Sequence, residues 1–103
     1  MLDATSKKLL QLSKAGQATD LRCAAVRVLG EVGTREPELM RTLCELVDDP
    51  EADVRLHVLR ALGQLHVEQA LPRFLDKVRQ GGAEAEAAVE AAARLGARGT
   101  KAL

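Results

Sequence analysis

The sequence predicts an all-α fold of stacked helical hairpins, an α-solenoid of about six helices. Residues 20–30 read DLRCAAVRVLG and residues 53–63 read DVRLHVLRALG, so Asp, two Arg, Leu and Gly recur after 33 residues. A weaker copy, EAAVEAAARLG, follows at residues 86–96. Apolar residues within each copy recur at helical spacing, and no segment alternates as a strand does. A fixed period of this length indicates stacked units, because one unit cannot bury its own apolar face.

The first two helices are predicted on either side of a short turn. The segment TSKKLLQLSKAG forms a leading helix, which we expect to act as the second helix of an incomplete unit; its apolar positions are Leu9, Leu10 and Leu12. The next helix is capped by Thr19 or Asp20 and extends to about Val32. Its predicted inward residues are Leu21, Ala25, Val28 and Leu29.

Proline and aspartate mark the starts of the next two helices. Pro37 opens a second helix, whose predicted core residues are Leu39, Leu43, Leu46 and Val47. Asp49 is predicted to cap the following helix, with Pro50 at the first helical position. That helix presents one apolar face, formed by Val54, Val58, Ala61, Leu62 and Leu65.

The second unit closes with a proline in the first turn of a helix and a glycine pair after it. Pro72 fits a first turn, where its missing N–H does no harm, and Gly81-Gly82 end the helix. The apolar stripe of this helix is Leu71, Phe74, Leu75 and Val78. The Ala-rich segment that follows is a strong helix former. Gly30, Gly63 and Gly96 recur once per unit and are interpreted as close-packing or helix-end positions.

These elements predict one domain over residues 1–103, divided into a leading helix (1–18), two repeats (19–49 and 50–82) and a partial terminal repeat (83–103). The third copy has Ala88 where the others have Arg22 and Arg55, and it has Arg94 in place of Val28 and Ala61. Either this unit is a degenerate terminal one or the chain is a fragment of a longer array. We favour the interpretation that the chain is a fragment of a longer array.

Composition argues against several function classes. Fifteen basic and fifteen acidic side chains cancel, so no net field attracts nucleic acid or acidic lipid. Phe74 is the single aromatic residue.

Cys23 and Cys44 stand far apart without metal-ligand spacing, and they are interpreted as two buried thiols in a reducing compartment. No stretch approaches the about 20 apolar residues that span a bilayer. We expect a cytoplasmic protein, and the abundance of Ala and Arg without Ile or Asn indicates a bacterial one.

Residues able to do chemistry are few. His57 and His66 would point in opposite directions on one helix, so they cannot share a ligand site there; we expect His57 on the convex surface and His66 in a turn. The acidic cluster of Asp48, Asp49, Glu51 and Asp53 is better explained by helix capping than by general acid catalysis. We therefore expect no enzyme activity, no catalytic residue, no cofactor and no metal.

The pattern Asp-[Val/Leu]-Arg-x-x-[Ala/Val]-x-x-[Ala/Val]-Leu-Gly, followed by a turn and ALPRFLDKV, resembles the HEAT repeat, and most closely the short bacterial type of phycobilisome lyase subunits. The resemblance implies a right-handed α-solenoid with first helices on the convex side and second helices on the concave side. It also implies that the Asp and Arg of each DVR element pair between neighbouring units, which assigns Asp20, Arg22, Asp53 and Arg55 to structure.

The resemblance favours a scaffold or protein–protein interaction module. Its candidate partner-binding surface lies on the second helices and consists of Glu38, Arg41, Glu45, Arg73 and Lys77. Because these charges are of both signs, nucleic-acid binding is disfavoured. Alternatives are a phycobilin-lyase-like or chaperone-like subunit and a regulatory or spacer domain of a larger protein. Exposed end repeats would allow self-association.

Overall fold

A computed structural model describes residues 3–32 and 35–95 of the chain. Six α-helices and a 3₁₀ turn at Glu68–Ala70 account for most of these residues, and none of them forms a strand. The helices are α1 (Ala4–Ser13), α2 (Thr19–Val32), α3 (Pro37–Leu46), α4 (Ala52–Gln64), α5 (Leu71–Gln80) and α6 (Ala83–Arg94). The all-α class predicted from the repeat period is therefore confirmed.

The helices form a central row with a second set packed against it. The first helices of the units, α2, α4 and α6, stack in that order, so that α4 contacts both of the others. Each second helix packs against the first helix that follows it: α1 on α2, α3 on α4, and α5 on α6. The core therefore runs continuously from one unit to the next, as stacked repeats require.

The core consists mainly of aliphatic side chains and contains one aromatic residue, Phe74. All five residues predicted for the apolar face of α4 are buried, and Val54, Val58 and Leu62 are completely inaccessible to solvent. On the second helices, Leu39 and Leu43 of α3 and Phe74 of α5 are equally inaccessible. These three lie where the sequence pattern placed them. Val47 is also buried and Leu46 is half-buried, but on α5 the other three predicted residues, Leu71, Leu75 and Val78, are only half-buried.

The inward face of α2 is rotated from the one that the sequence predicts. Ala25 and Leu29 are buried as expected, but Leu21 and Val28 are 41% and 39% exposed. Val26, which was not predicted, is fully buried instead. The reason is that α4 and α1 pack on adjacent sides of α2, and no first helix of the described chain lies on its third side.

Glycines allow the first helices to approach each other closely. A Cβ built on Gly30 would lie 2.9 Å from the Cα of Ala61, and one built on Gly63 would lie 2.8 Å from the Cα of Ala91. Such separations are too short for two carbon atoms, so only glycine fits at these crossings. The close-packing interpretation is confirmed for these two positions, while Gly96 falls outside the described residues.

The two crossings differ in register by about one helical turn. Gly30 meets Ala61, but the residue 33 positions after Ala61 is Arg94, which is too large to occupy a close crossing. Gly63 instead meets Ala91, three residues earlier on α6, and the Arg94 side chain passes beside the contact. The departure of the third unit from the repeat pattern is thus accommodated by a shift of α6.

Helix ends follow the proline and glycine signals. Pro37 is the first residue of α3, and Pro72 lies in the first turn of α5. Gly81 and Gly82 have φ angles of 79° and 81°, in the left-handed region that favours glycine, and they separate α5 from α6. These predicted boundaries are confirmed.

The predicted cap of α4 is wrong. The helix begins at Ala52 with Glu51 at the N-cap, rather than at Pro50, and no side chain caps it. Asp49 accepts a hydrogen bond of 3.0 Å from the Glu51 N–H, but its carboxylate is mainly engaged by Arg22. A stronger partner on another helix, Arg22 of α2, has therefore replaced the local capping role.

Arg22 joins three parts of the fold from a buried position. Its Nη1 and Nη2 donate to the two carboxylate oxygens of Asp49 at 3.0 and 2.5 Å, and its Nε donates to the carbonyl oxygen of Ser13 at 2.9 Å. These bonds connect the end of α1, the start of α2 and the turn before α4. The bidentate bond from Arg22 lowers the pKa of Asp49 below its usual range.

Arg55 repeats this arrangement one unit later in a more open setting. Its Nε donates to Glu84 Oε1 at 2.7 Å, and its Nη1 donates to the backbone carbonyl of Asp49 at 2.7 Å. About a quarter of each charged side chain in this pair is exposed. Both DVR arginines therefore link neighbouring units, but the expected pairing with the DVR aspartates is wrong: neither Asp20 nor Asp53 forms an ion pair among the described residues.

We predict that Gly63→Ala lowers the free energy of unfolding by about 1–3 kcal/mol, because α4 and α6 must separate to admit the methyl group. Helix propensity alone would change stability by about 1 kcal/mol in the opposite direction. Urea denaturation measures the difference. Ala93→Gly, at an exposed position of α6, calibrates the propensity effect in this protein. A more stable Gly63→Ala protein would contradict the close crossing.

We predict that Asp49→Asn lowers stability by about 3 kcal/mol at neutral pH and makes it less sensitive to acid. Because the pKa of Asp49 is lowered on folding, its contribution is complete above about pH 4 and is lost as the pH falls through the folded-state value. Glu84, whose pKa is lowered mainly by Arg55, keeps its own part of the acid sensitivity.

Urea denaturation of wild type and variant across the acidic range measures this difference in pH dependence. The control is Asp76→Asn, since Asp76 forms an exposed ion pair with Arg79 that contributes little. Equal pH dependence in wild type and Asp49→Asn would contradict the assignment.

Candidate functional site

Two grooves run between neighbouring second helices. The groove between α1 and α3 has a volume of about 190 Å³ and is lined by Lys7, Leu10, Gln11, Lys14, Glu38 and Thr42. The groove between α3 and α5 has a volume of about 300 Å³ and is lined by Pro37, Arg41, Cys44, Glu45, Gln69 and Arg73. Both exist because the second helices pack on the central row more closely than on each other.

Four of the five residues predicted for a partner surface are exposed along these grooves. Arg41 and Glu45, one turn apart on α3, face Arg73 of α5 across the α3–α5 groove. Glu38, one turn before Thr42, lies in the α1–α3 groove instead. The structure thus brings three of the predicted residues together and places the fourth in the adjacent groove.

Lys77 is not available on an open surface. It is only 8% exposed, and its Nζ lies 3.7 Å from Asp48 Oδ1 and 3.6 Å from Glu84 Oε1. The residue follows Phe74 by three positions on α5, so its aliphatic stem lies on the core side while the ammonium group reaches these carboxylates. Its role in the fold is to join α5 to α6 and to the turn before α4.

The grooves contain cations that sequence reasoning did not identify. Lys7 of α1 and Lys14, which directly follows this helix, line the α1–α3 groove together with Gln11. The signal was available, because α1 was expected to serve as a second helix and its polar side should then extend the same surface. Gln69, which precedes α5, completes the α3–α5 groove and could not be assigned without knowing where the 3₁₀ turn lies.

The two grooves share a charge pattern of two cations and one carboxylate. Lys7 and Lys14 accompany Glu38 in one, and Arg41 and Arg73 accompany Glu45 in the other. Each groove therefore has a local positive excess although the whole chain is neutral. Aromatic side chains on which bases could stack are missing from both, since Phe74 is fully buried.

The thiol in the α3–α5 groove is not activated. Cys44 is 6% exposed, and burial raises the pKa of its thiol above the usual value, although Arg73 acts in the opposite direction. Burial likewise raises the pKa of Cys23, between α2 and α4. A reactive cysteine needs a lowered pKa, so neither residue has the properties of a catalytic nucleophile.

The two histidines lie apart in different surroundings. His57 is half-buried on α4 and its Nδ1 lies 2.8 Å from the carbonyl oxygen of Asp53, which fixes the ring against its own helix. His66 lies in the turn after α4, as expected, with a φ angle of 55°. Its carbonyl oxygen accepts a hydrogen bond from Arg35. The histidines do not form a common site.

The buried member of the acidic cluster near α4, Asp49, lacks the property that general acid catalysis needs. A general acid at neutral pH requires a raised carboxyl pKa, but the pKa of Asp49 is lowered by Arg22. Across the described ranges, no three His, Cys, Asp or Glu side chains are grouped to hold a metal ion. None of the described helices combines the length and apolar character that crossing a membrane demands.

Comparison with known proteins agrees with this geometry. A family model described as HEAT repeats matches residues 6–95, which covers most of the chain and all six described helices apart from the first two residues of α1. No curated protein and no solved structure matches the chain.

Proposed function

The chain belongs to the HEAT repeat family, and we propose that it is a non-enzymatic module that binds a protein partner in the grooves between its second helices. HEAT repeats generally mediate protein–protein interactions. The proposed partner presents acidic side chains, or an acidic face of a helix, to these grooves. The whole surface formed by α1, α3 and α5 takes part, with the α3–α5 groove at its centre.

The observation that supports this proposal best is the convergence of Arg41 and Arg73 on one groove with a single opposing carboxylate, Glu45. Both arginines are exposed, and neither makes a salt bridge with another described residue. Guanidinium groups bind carboxylates in a planar, bidentate geometry. Two guanidinium groups that form no salt bridge with the described residues can therefore bind an acidic segment without breaking an existing ion pair.

The packing below the grooves supports binding without rearrangement. The two helices that form the α3–α5 groove are anchored in the continuous core, because Leu43 of α3 and Phe74 of α5 are inaccessible to solvent and belong to it. Arg22 and Arg55 hold the first helices in place from one unit to the next. A preordered surface loses little conformational entropy on binding, which favours affinity for a given contact area.

Charge reversal at the groove tests the proposal. We expect Arg41→Glu combined with Arg73→Glu to abolish capture of the partner from a lysate of the source cells, because the groove then repels carboxylates. The matched control is Arg27→Glu with Arg60→Glu, which makes the same change in net charge at exposed positions of α2 and α4. Captured proteins are quantified by mass spectrometry after circular dichroism has shown equal helix content.

A protein that is retained by wild type and by the control but lost by the groove variant would identify the partner. Its binding should weaken as salt concentration rises, since the proposed contacts are charged. If the groove variant and the control capture the same proteins in the same amounts as wild type, the grooves between second helices are not the binding surface.

A further inference from the structure

Large apolar residues are exposed along one side of α2. Leu21, Val28 and Val32 are 41%, 39% and 52% exposed, and their spacing places them on one face of the helix. They account for three of the four large hydrophobic residues that are exposed in the described part of the chain. The fourth, Val89, lies at the opposite end of the central row, on α6.

The equivalent face of α4 shows which element covers such a face in this fold. The residues of α4 that lie 33 positions later, Val54, Ala61 and Leu65, are 0%, 1% and 3% exposed. Ala61 lies directly against Gly30 of α2, so this face of α4 is covered by the preceding first helix. The equivalent face of α2 is therefore one that a preceding first helix would cover.

α6 also exposes an apolar residue, Val89, on the side where a following first helix would pack. Val89 lies 66 residues after Cys23 and 33 after Leu56. Cys23 lies beside Asp53 and His57 of α4, on the side of α2 that points toward the next unit. Cys23 is buried and Leu56 is half-buried, whereas Val89 is 44% exposed. Val89 and Ala85, one turn apart, line a shallow depression on this side of α6, with Glu86 and Glu90 beside them.

Charged residues at the two ends identify which helix fits. Each internal junction pairs an arginine of one first helix with a carboxylate at or just before the start of the next first helix, Arg22 with Asp49 and Arg55 with Glu84. Gly16 lies 33 positions before Asp49, and Ala18 lies 66 positions before Glu84, so neither of the equivalent positions in front of α2 has a carboxylate to accept an arginine from a preceding unit. A first helix with arginine at that place would bury an unpaired cation, which is costly.

The chain's own α6 avoids this cost. At the position of Arg22 and Arg55 it has Ala88, which is buried and needs no partner. We propose that α6 of a second copy of this chain packs against the exposed face of α2, so that the central row of first helices continues from one molecule to the next. This inference concerns the ends of the row and is independent of the proposed function of the grooves.

The joint is heterologous, because different surfaces of the two copies meet. Such an assembly does not close by two-fold symmetry and extends as concentration rises. Sedimentation velocity on the full chain over a wide concentration range tests this directly. We expect the wild-type mass to rise from the monomer value of 11.1 kDa through a dimer to longer forms.

Two lysine substitutions separate the two surfaces of the joint. Val28→Lys blocks the α2 face and Val89→Lys blocks the α6 face, and both positions are exposed enough to accept lysine without unfolding. Each variant alone should remain at the monomer mass. An equimolar mixture should form a dimer that does not extend, since each partner contributes its one intact face.

The control is Gln11→Lys, which adds the same charge on the side of α1 that faces α3 and should associate like wild type. Three results would overturn the proposal: a wild-type protein that stays monomeric at every concentration, a Val89→Lys protein that still dimerises through α2 alone, or a mixture of the two variants that does not associate. Circular dichroism of each variant confirms that the comparison is between folded proteins.

Discussion

The buried contact between Arg22 and Asp49 is the constraint on which the rest of the structure depends. Both side chains are almost fully enclosed, and removing either charge would leave the other in a site with little water. Through the Ser13 carbonyl the same guanidinium group also fixes the end of α1. One side chain therefore sets the positions of a second helix, a first helix and the turn that leads into the next unit.

The close stacking of the first helices determines where the candidate binding surface lies. Because the first helices are held at close crossings by Gly30 and Gly63, the second helices are left at a wider spacing, and open grooves form between them. Cationic side chains that are not needed for the junctions, such as Arg41 and Arg73, remain exposed there. The same stacking rule explains the open sides of α2 and α6, since the first and last members of the row each have only one neighbour in it.

The sequence predicts the parts of the fold that local patterns control. Pro37, Pro72 and Gly81 mark helix boundaries through backbone chemistry, and the apolar spacing of α4 correctly identifies its buried face. Prediction from the sequence fails where a residue distant in the chain determines which contacts a side chain makes. Asp49 has the local features of a cap until Arg22 competes for it, and Lys77 has the features of a surface cation until the packing of α5 directs it inward. The candidate surface could be placed on the second helices, but its division into two grooves depends on helix spacing, which no local pattern encodes.

The most direct test of this account is a double-mutant cycle on the contact between Arg22 and Asp49. Arg22→Leu, Asp49→Leu and the double variant are compared with wild type by urea denaturation at neutral pH. We predict that each single substitution lowers the free energy of unfolding by several times more than the loss of a surface ion pair does. The double variant should be about 2 kcal/mol or more stable than the sum of the two single losses implies. Losses that simply add would show that the two side chains act independently, and the proposed linkage between units would then be wrong.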